Sequence, residues 1–168
     1  MTPLDAAISY ARTGRRIFPA RNKNSPRVSW PELATTDEKQ IRQWWERWPC
    51  DLVCSPTGEI DVVLDVDPPA GIDALEELGW PFWFCTPTCV TPRGLHAHFA
   101  VPHGNIIRTT TGTKGRGIGI DLDWRGAGGF TVLPSPGSGY YWDPGLNLEN
   151  TPLIAVPSEL LPRDPVLN

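Results

Sequence analysis

The sequence lacks any apolar run that approaches the roughly 20 residues needed to cross a membrane. Its first residues, MTPLDAAISYARTGRR, also lack the basic-then-apolar order of a secretory signal. Internal repeats and low-complexity segments are missing as well. These absences predict a soluble, cytosolic protein with no membrane partner.

A surplus of positive charge is also missing, because 15 Lys and Arg face 19 Asp and Glu and the net charge is −4. This balance disfavours a protein that coats nucleic acid through bulk electrostatics. It leaves room for a local basic groove. A metal-dependent enzyme concentrates carboxylates at its site, so the negative total is compatible with nucleotide chemistry.

Cysteine is scarce, with four residues in two C-x3-C pairs: Cys50 with Cys54, and Cys85 with Cys89. Both pairs fall in segments typical of strands, where residues four apart lie roughly 13 Å apart and cannot share one tetrahedral ion. We therefore expect buried, reduced thiols and no structural zinc.

The chain is rich in Trp, Pro and Gly, with 8, 19 and 16 residues among 168. This composition indicates many short elements joined by turns, and the length fits one folded domain. Helical spacing in PLDAAISYARTGR predicts a helix that leads to a strand at RRIFPA. A second helix is predicted to begin near Asp37, with Thr36 as its cap and with Ile41, Trp44 and Trp45 toward a core.

From Asp51 onward the pattern changes to short β-like runs separated by turns, with a brief helix at GIDALEELG. The architecture predicted is α+β, with an N-terminal helical part packed on a mostly antiparallel sheet. The residues from Asn147 are Pro-rich, with one turn of helix predicted at SELL.

The segment EIDVVLDVDPP places two aspartates after an apolar run. Strand alternation puts Asp65 and Asp67 on one face, with Cα atoms roughly 6 to 7 Å apart, and points Val66 into the core. Two carboxylates that close repel each other unless a cation lies between them. Pro68 and Pro69 end the strand, so a ligand can reach the pair. The pattern favours a divalent metal site, although a solvated strand end has the same short motif.

A second element is TPRGLHAHF, in which Gly94 precedes a strand that sends His96 and His98 to one face. A histidine there can donate a hydrogen bond to a phosphate oxygen or bind a metal. For either residue alone, a histidine satisfied within the sheet is the better interpretation.

A third element is IDLDWRGAGGF, in which Asp121 and Asp123 are expected to share a face. Arg125 begins a Gly-rich turn, and such a run of glycine permits close backbone approach. Taken alone, the segment is equally well explained as a β-turn.

Together these elements resemble the bifunctional primase-polymerase (prim-pol) family of the archaeo-eukaryotic primase superfamily, whose motif order is D-x-D, then G-x-H, then an aspartate before R-G-x-G-G. Here they read Asp65-Val66-Asp67, Gly94-Leu95-His96 and Asp123-Trp124-Arg125-Gly126-Ala127-Gly128-Gly129. The similarity includes IFPARNKNSP, TTDEKQIRQWW and SPTGEIDVVLDVD, and it covers nearly the whole chain up to GYYW. The family usually has two glycines before the histidine, whereas TPRGLH has one, and PSPGSGYYW is shortened.

The resemblance implies an RRM-like catalytic sheet and a template-directed DNA or RNA polymerase. Such an enzyme synthesises or extends primers on single-stranded DNA from NTPs or dNTPs. Asp65, Asp67 and Asp123 would hold two Mg²⁺ or Mn²⁺ ions, and His96 would contact the triphosphate. Asp121 is the alternative third carboxylate, because only the R-G-x-G-G register favours Asp123.

Basic and aromatic residues offer further contacts. We expect Arg125 and Lys23, which lies near Arg21 in the early loop, at the nucleotide. Lys114 and Arg116, in the Gly-rich stretch TGTKGRGIG, are expected at the DNA backbone. An exposed loop explains either basic segment equally well. Aromatic side chains that can stack on bases are Tyr140, Tyr141 and Trp142, although most Trp are expected in the core.

The resemblance also implies a domain organisation. We expect a catalytic domain at 1–146 and a Pro-rich tail or linker at 147–168 that leads toward a helicase region. Members of the family are often fused to a helicase and encoded by phages or plasmids, which would place the protein in the cytosol of a bacterial host.

Two other functions fit parts of the pattern. The pair of His96 and His98, with Tyr140 or Tyr141 as nucleophile, is similar to a rolling-circle replication endonuclease, but that interpretation leaves the D-x-D pair unexplained. A non-catalytic module that binds single-stranded DNA could use the sheet as a stacking platform, but carboxylates repel phosphate unless metal is bound.

Overall fold

The chain folds into helices and antiparallel sheets in the computed structural model, which describes residues 1–79, 85–110 and 118–162. The predicted α+β class is confirmed. In chain order the elements are α1 (Pro3–Arg12), β1 (Phe18–Ala20), α2 (Trp30–Leu33), α3 (Glu38–Arg47), β2 (Leu52–Pro56), β3 (Asp61–Val66), α4 (Ala70–Glu77), β4 (Thr88–Val90), β5 (Leu95–Ala100), β6 (Leu122–Arg125), β7 (Phe130–Leu133), β8 (Tyr141–Trp142) and a 3-10 turn (Ser158–Leu160).

The chain divides into two compact units. The first joins Met1–Pro56 to Phe130–Tyr141, and the second joins Thr57–Gly129 to Trp142–Asn168. The first unit contains α1, α2, α3 and a three-stranded sheet of order β1-β2-β7. The second contains α4, and its five-stranded sheet has the order β6-β3-β5-β4-β8. Among the described residues, no helix has both the length and the apolar character needed to span a membrane.

Caps start the two longer helices of the first unit. Thr2 and Asp5 form a capping box at the start of α1, which satisfies backbone donors that have no helical partner. The cap of α3 is Asp37, whose carboxylate accepts from the Lys39 N–H at 3.0 Å. The prediction of Thr36 as the cap is therefore wrong by one residue. A carboxylate at this position also interacts favourably with the positive end of the helix dipole.

The second unit has the strand order expected of an RRM-like sheet. Strand β5 lies between β3 and β4 and is antiparallel to both, so β3, α4 and β4 form a split β-α-β unit. Strand β6 pairs with the other edge of β3. Strand β3 is thus central, with a neighbour along each side.

The two faces of this sheet differ in chemistry because side chains alternate along each strand. One face of β3 carries Val62, Leu64 and Val66, which pack in the core of the unit. The opposite face carries Asp61 and Asp65. Other buried members of that core are Ala74, Leu75, Ala97, Phe99, Ile107, Leu122, Trp124 and Leu160.

The residues after Asn147 contact the second unit. Leu160 is fully buried, and its carbonyl accepts from the Trp124 indole N–H at 3.0 Å. The Ala100 N–H donates to the Ile154 carbonyl at 2.8 Å. By their contacts, the residues from Trp142 onward are grouped with the second unit.

The cysteines are all free, but they are not all buried. Cys54 and Cys89 lie in β2 and β4 and are buried, and burial raises the pKa of the Cys54 thiol. Cys50 and Cys85 are exposed, so the expectation of burial is wrong for these two. Each of them precedes the strand rather than lying in it.

Among the described residues, three tryptophans are buried and three are half-buried. Trp44, Trp45 and Trp124 are buried. Half-buried ones are Trp30, Trp48 and Trp142.

Candidate metal and nucleotide site

Asp65 lies at the centre of the candidate site because β3 has a paired strand on each side. Its register partner on β5 is His96, and its register partner on β6 is Asp123. Residues directly opposite in an antiparallel pair have Cα atoms roughly 4.5 to 5.5 Å apart and side chains on the same face. The sheet therefore brings together one residue from each of the three sequence motifs.

The Asp65 carboxylate is held by two side chains. Its Oδ2 accepts from Arg125 Nη2 at 2.9 Å and from Arg125 Nε at 3.3 Å, and its Oδ1 lies 3.4 Å from His96 Nε2. Burial by itself would raise the pKa of Asp65. Hydrogen bonding and charge from His96 and Arg125 outweigh that effect and lower the pKa of Asp65 to about 2. The carboxylate is therefore ionised at neutral pH.

Asp67 lies at the rim of the sheet, one residue beyond the end of β3. Its N–H donates to the Asp121 carbonyl at 3.0 Å, and its carboxylate lies 3.7 Å from Arg93 Nη2. The side chain is 36% exposed, so a ligand in solvent can reach it.

Asp121 and Asp123 do not share a strand face, which corrects the expectation from alternation. Asp121 precedes β6, is exposed, and has a positive φ of 53°. Asp123 lies within β6, where its Oδ1 accepts from Thr110 Oγ1 at 3.2 Å. The structure thus places Asp123, rather than Asp121, opposite Asp65.

Three glycines of the motifs, Gly94, Gly126 and Gly129, pack against the chain itself. A Cβ at Gly126 would collide with the Ile107 carbonyl, and one at Gly129 would collide with the Thr109 hydroxyl. In the same way, a Cβ at Gly94 would collide with the carbonyl of Val66. The close backbone approach expected of the R-G-A-G-G turn is therefore an approach to the segment that contains Ile107 and Thr109.

A family model described as bifunctional DNA primase/polymerase, N-terminal (Prim-Pol), matches residues 7–157. The chain belongs to this Prim-Pol family. No curated protein matches it. Membership implies DNA primase/polymerase activity in replication, with a DNA template and nucleotides as ligands. The polymerases of such a family generally use divalent metals.

The Prim-Pol residues Asp65 and Asp123 offer carboxylate oxygens, the donors that Mg²⁺ and Mn²⁺ prefer. No group of three or more His, Cys, Asp or Glu side chains is close enough to hold a metal ion in the part of the chain that the structure describes. The donor chemistry fits a divalent ion, and a direct bond to Asp65 Oδ2 would compete with Arg125.

The two histidines of β5 differ in their surroundings. His98 shares a face with His96, as alternation predicts, but its side chain is fully buried and its Nδ1 lies 2.7 Å from Asp61 Oδ2. Its ring also meets Trp142 edge-on, with centroids 5.0 Å apart. A buried His98 is a poor ligand for an exchangeable metal, which weakens the endonuclease interpretation.

The remaining predicted residues are spread over the chain. Lys23 and Arg21 are exposed in the first unit, just after β1. Lys114 and Arg116 lie outside the described residues. Tyr140 is half-buried, and Tyr141 has 58% of its surface exposed.

Sequence reasoning missed two residues beside the site, Arg93 and Thr110, and one buried carboxylate further along β3, Asp61. Arg93 stands where the family usually has a second glycine, and this departure was the visible signal. Asp61 begins the same strand as Asp65, but a single aspartate at the start of a strand does not indicate a buried partner. Thr110 belongs to no motif, and nothing in the sequence connects it with Asp123.

Proposed function

We propose that this chain is a metal-dependent nucleotidyltransferase that synthesises primers, extends them, or does both on a single-stranded DNA template. The observation that carries the proposal is the register of β3, which sets Asp65 between His96 and Asp123. Asp67, at the rim of the sheet, forms with Asp65 and Asp123 what we call the acidic set. In the proposed reaction, the 3′-oxygen of the primer attacks the α-phosphorus of a nucleotide, and the bond to pyrophosphate breaks.

The proposed metal ligands are Asp65, Asp67 and Asp123, with Asp121 as the reserve for the third. Bound Mg²⁺ or Mn²⁺, as two ions, would activate the attacking oxygen and stabilise the leaving pyrophosphate. Asp65 is ionised at neutral pH, as a carboxylate must be to bind metal.

We assign the triphosphate to residues around the acidic set. His96, the register partner of Asp65, is assigned to donate a hydrogen bond to a phosphate oxygen. Arg125, with 37% of its side chain exposed, can offer two donors to one phosphate. Arg93, 69% exposed beside Asp67, is a further cation at the rim. Lys23, in the first unit, stays a predicted nucleotide contact.

The template contacts are proposed from charge. The first unit carries nine Lys and Arg against six Asp and Glu, whereas the second carries six against 13. A cationic surplus in the first unit suits a phosphate backbone. Lys114 and Arg116 stay our proposed DNA contacts in the second unit.

The wider setting is also a proposal. We propose a helicase, fused or associated, as partner, with the protein acting in the cytoplasm of a bacterial host if a phage or plasmid encodes it. The division into a catalytic domain at 1–146 and a tail at 147–168 stays a prediction. The packing of Ile154 and Leu160 favours counting the residues up to that point with the catalytic part.

The decisive experiment is a synthesis assay on single-stranded DNA, primed and unprimed, with each nucleotide set and with Mg²⁺ or Mn²⁺. Asp65→Ala and Asp67→Ala are expected to abolish all products. Asp73→Ala removes an exposed carboxylate from α4 of the same unit and is expected to keep them. Full activity in either of the first two variants would refute the mechanism.

The same assay separates the other two functions. A covalent DNA adduct that disappears in Tyr140→Phe or Tyr141→Phe, without primer extension, would indicate the endonuclease. DNA binding that ignores both metals, again without synthesis, would indicate a binding module.

A further inference from the structure

Thr110 touches the candidate site from outside the three motifs. Its Oγ1 donates to Asp123 Oδ1 at 3.2 Å and accepts from the Trp124 N–H at 2.9 Å. Its own N–H donates to the Trp124 carbonyl at 2.8 Å. The backbone of Thr110 is therefore fixed beside β6, and its hydroxyl lies between a backbone donor and a carboxylate.

The direction of the hydroxyl hydrogen follows from these partners. The Trp124 N–H can only donate, so it occupies a lone pair on the Thr110 oxygen. An ionised carboxylate can only accept, so the Thr110 hydrogen points to Asp123. A hydrogen bond to an ionised acceptor is stronger than one between neutral groups. This hydrogen bond restrains the position of Asp123 Oδ1, and it does not involve Oδ2.

We propose that Thr110 is a positioning residue that orients the Asp123 carboxylate for a divalent cation. The inference rests on the proposed function, because Asp123 is the presumed ligand there. Groups that hydrogen-bond to a metal ligand orient it, and their loss typically weakens metal affinity by about 10- to 100-fold.

The neighbouring residue provides a matched control. Thr109 Oγ1 donates to the Gly126 carbonyl and accepts from the Gly126 N–H, both at 3.1 Å. This hydroxyl therefore makes two hydrogen bonds to backbone, as a structural residue would. Valine at either position removes a hydroxyl at nearly constant shape, but only Thr110→Val takes a hydrogen bond from a proposed ligand.

The experiment is a titration of the metal-free protein with Mn²⁺ alone. Binding is measured by calorimetry and by the electron paramagnetic resonance signal of free Mn²⁺. Thr110→Val is expected to weaken Mn²⁺ binding by about 10- to 100-fold. Thr110→Ser keeps the hydroxyl and is expected to stay within about threefold of the unsubstituted protein. Thr109→Val is expected to lower the Tm while leaving Mn²⁺ affinity within the same limit.

The outcomes separate this inference from the proposed function. If folded Thr110→Val binds Mn²⁺ as tightly as the unsubstituted protein while Asp123→Asn loses affinity, the proposed role of Thr110 is wrong. The proposed metal site is then still supported. If Asp123→Asn leaves the Mn²⁺ affinity unchanged, the proposed metal site at Asp123 is refuted. If Thr110→Val fails to fold, Thr110→Cys supplies a weaker donor. Its Mn²⁺ affinity must then fall below that of Thr110→Ser, and equal values would overturn the inference.

Discussion

Asp65 of β3 and Asp123 of β6 are register partners, so two carboxylates stand side by side on one face of the second sheet. Their surroundings differ. Asp65 accepts from a guanidinium, and Asp123 accepts from the hydroxyl of Thr110. Each carboxylate of the pair is thus oriented by a side chain of its own.

Acid is expected to destabilise the protein through Asp65. The pKa of Asp65 is lowered from 3.8 to about 2, so the contribution is present above the unfolded value and is lost as pH falls through the folded value. It amounts to roughly 2 kcal/mol, lost between about pH 5 and pH 2. Urea unfolding across that range, in the presence of a chelator, measures the loss.

Asp65→Asn is the comparison for the acid prediction. Because the amide does not titrate, the difference in unfolding free energy between the two proteins should shrink as the pH falls. A difference that stays constant across the range would contradict the assignment of the low pKa to Asp65.

The buried pair of Asp61 and His98 is expected to tolerate the loss of both partners better than the loss of one. Both side chains are fully buried and 2.7 Å apart. Asp61→Leu or His98→Leu alone leaves one polar partner buried and should cost about 3 to 5 kcal/mol. The double variant should cost less than either single variant, as measured by a double-mutant cycle of unfolding free energies. Strict additivity would show that the two residues do not interact.

Gly126→Ala is expected to destabilise the second unit by about 3 kcal/mol, because its Cβ would collide with the Ile107 carbonyl. Gly104→Ala is the control. Gly104 has a φ of 79° and open space around it, so alanine there costs only backbone strain, about 1 kcal/mol. Chemical denaturation of both variants measures their unfolding free energies, and Gly126→Ala should lose more than Gly104→Ala. Equal losses would show that the turn at Gly126 shifts to accommodate the added methyl group.

Arg125→Gln is expected to raise the KM for the nucleotide about 10- to 100-fold, since a hydrogen bond from a charged group contributes about 1.5 to 3 kcal/mol. Arg125→Lys should recover only part of the loss, because lysine lacks the planar fork of donors. Arg42→Gln makes the same change at an exposed arginine of the first unit, and its KM should not move. An unchanged KM in Arg125→Gln would remove that residue from the nucleotide site.

Local periodicity predicted much of the fold and the strand on which Asp65 lies. The alternation in EIDVVLDVD specifies which face of β3 carries Asp65, and helical spacing located α1, α3 and α4. Errors occurred where an element ends. Alternation predicts a strand at Asp121, but the chain turns there with a positive φ. The predicted cap of α3 is one residue before the cap that the structure shows.

Contacts between distant parts of the chain could not be predicted. Thr110 and Asp123 are 13 residues apart and are joined by no shared period, so only the folded sheet brings their side chains together. The same holds for the packing of Gly126 against Ile107. Family motifs identified these glycines, but the motifs did not show what the glycines contact.

The strict two-faced character of β3 also limits how its gene can change in length. Inserting or deleting a single codon between Val62 and Leu64 would rotate every later side chain of the strand to the opposite face. The carboxylate of Asp65 would then enter the apolar core, and its place beside His96 would be taken by Leu64 after an insertion or by Val66 after a deletion. Substitutions can alter this strand one position at a time, but a frame-preserving indel would destroy the core and the acidic site in one event.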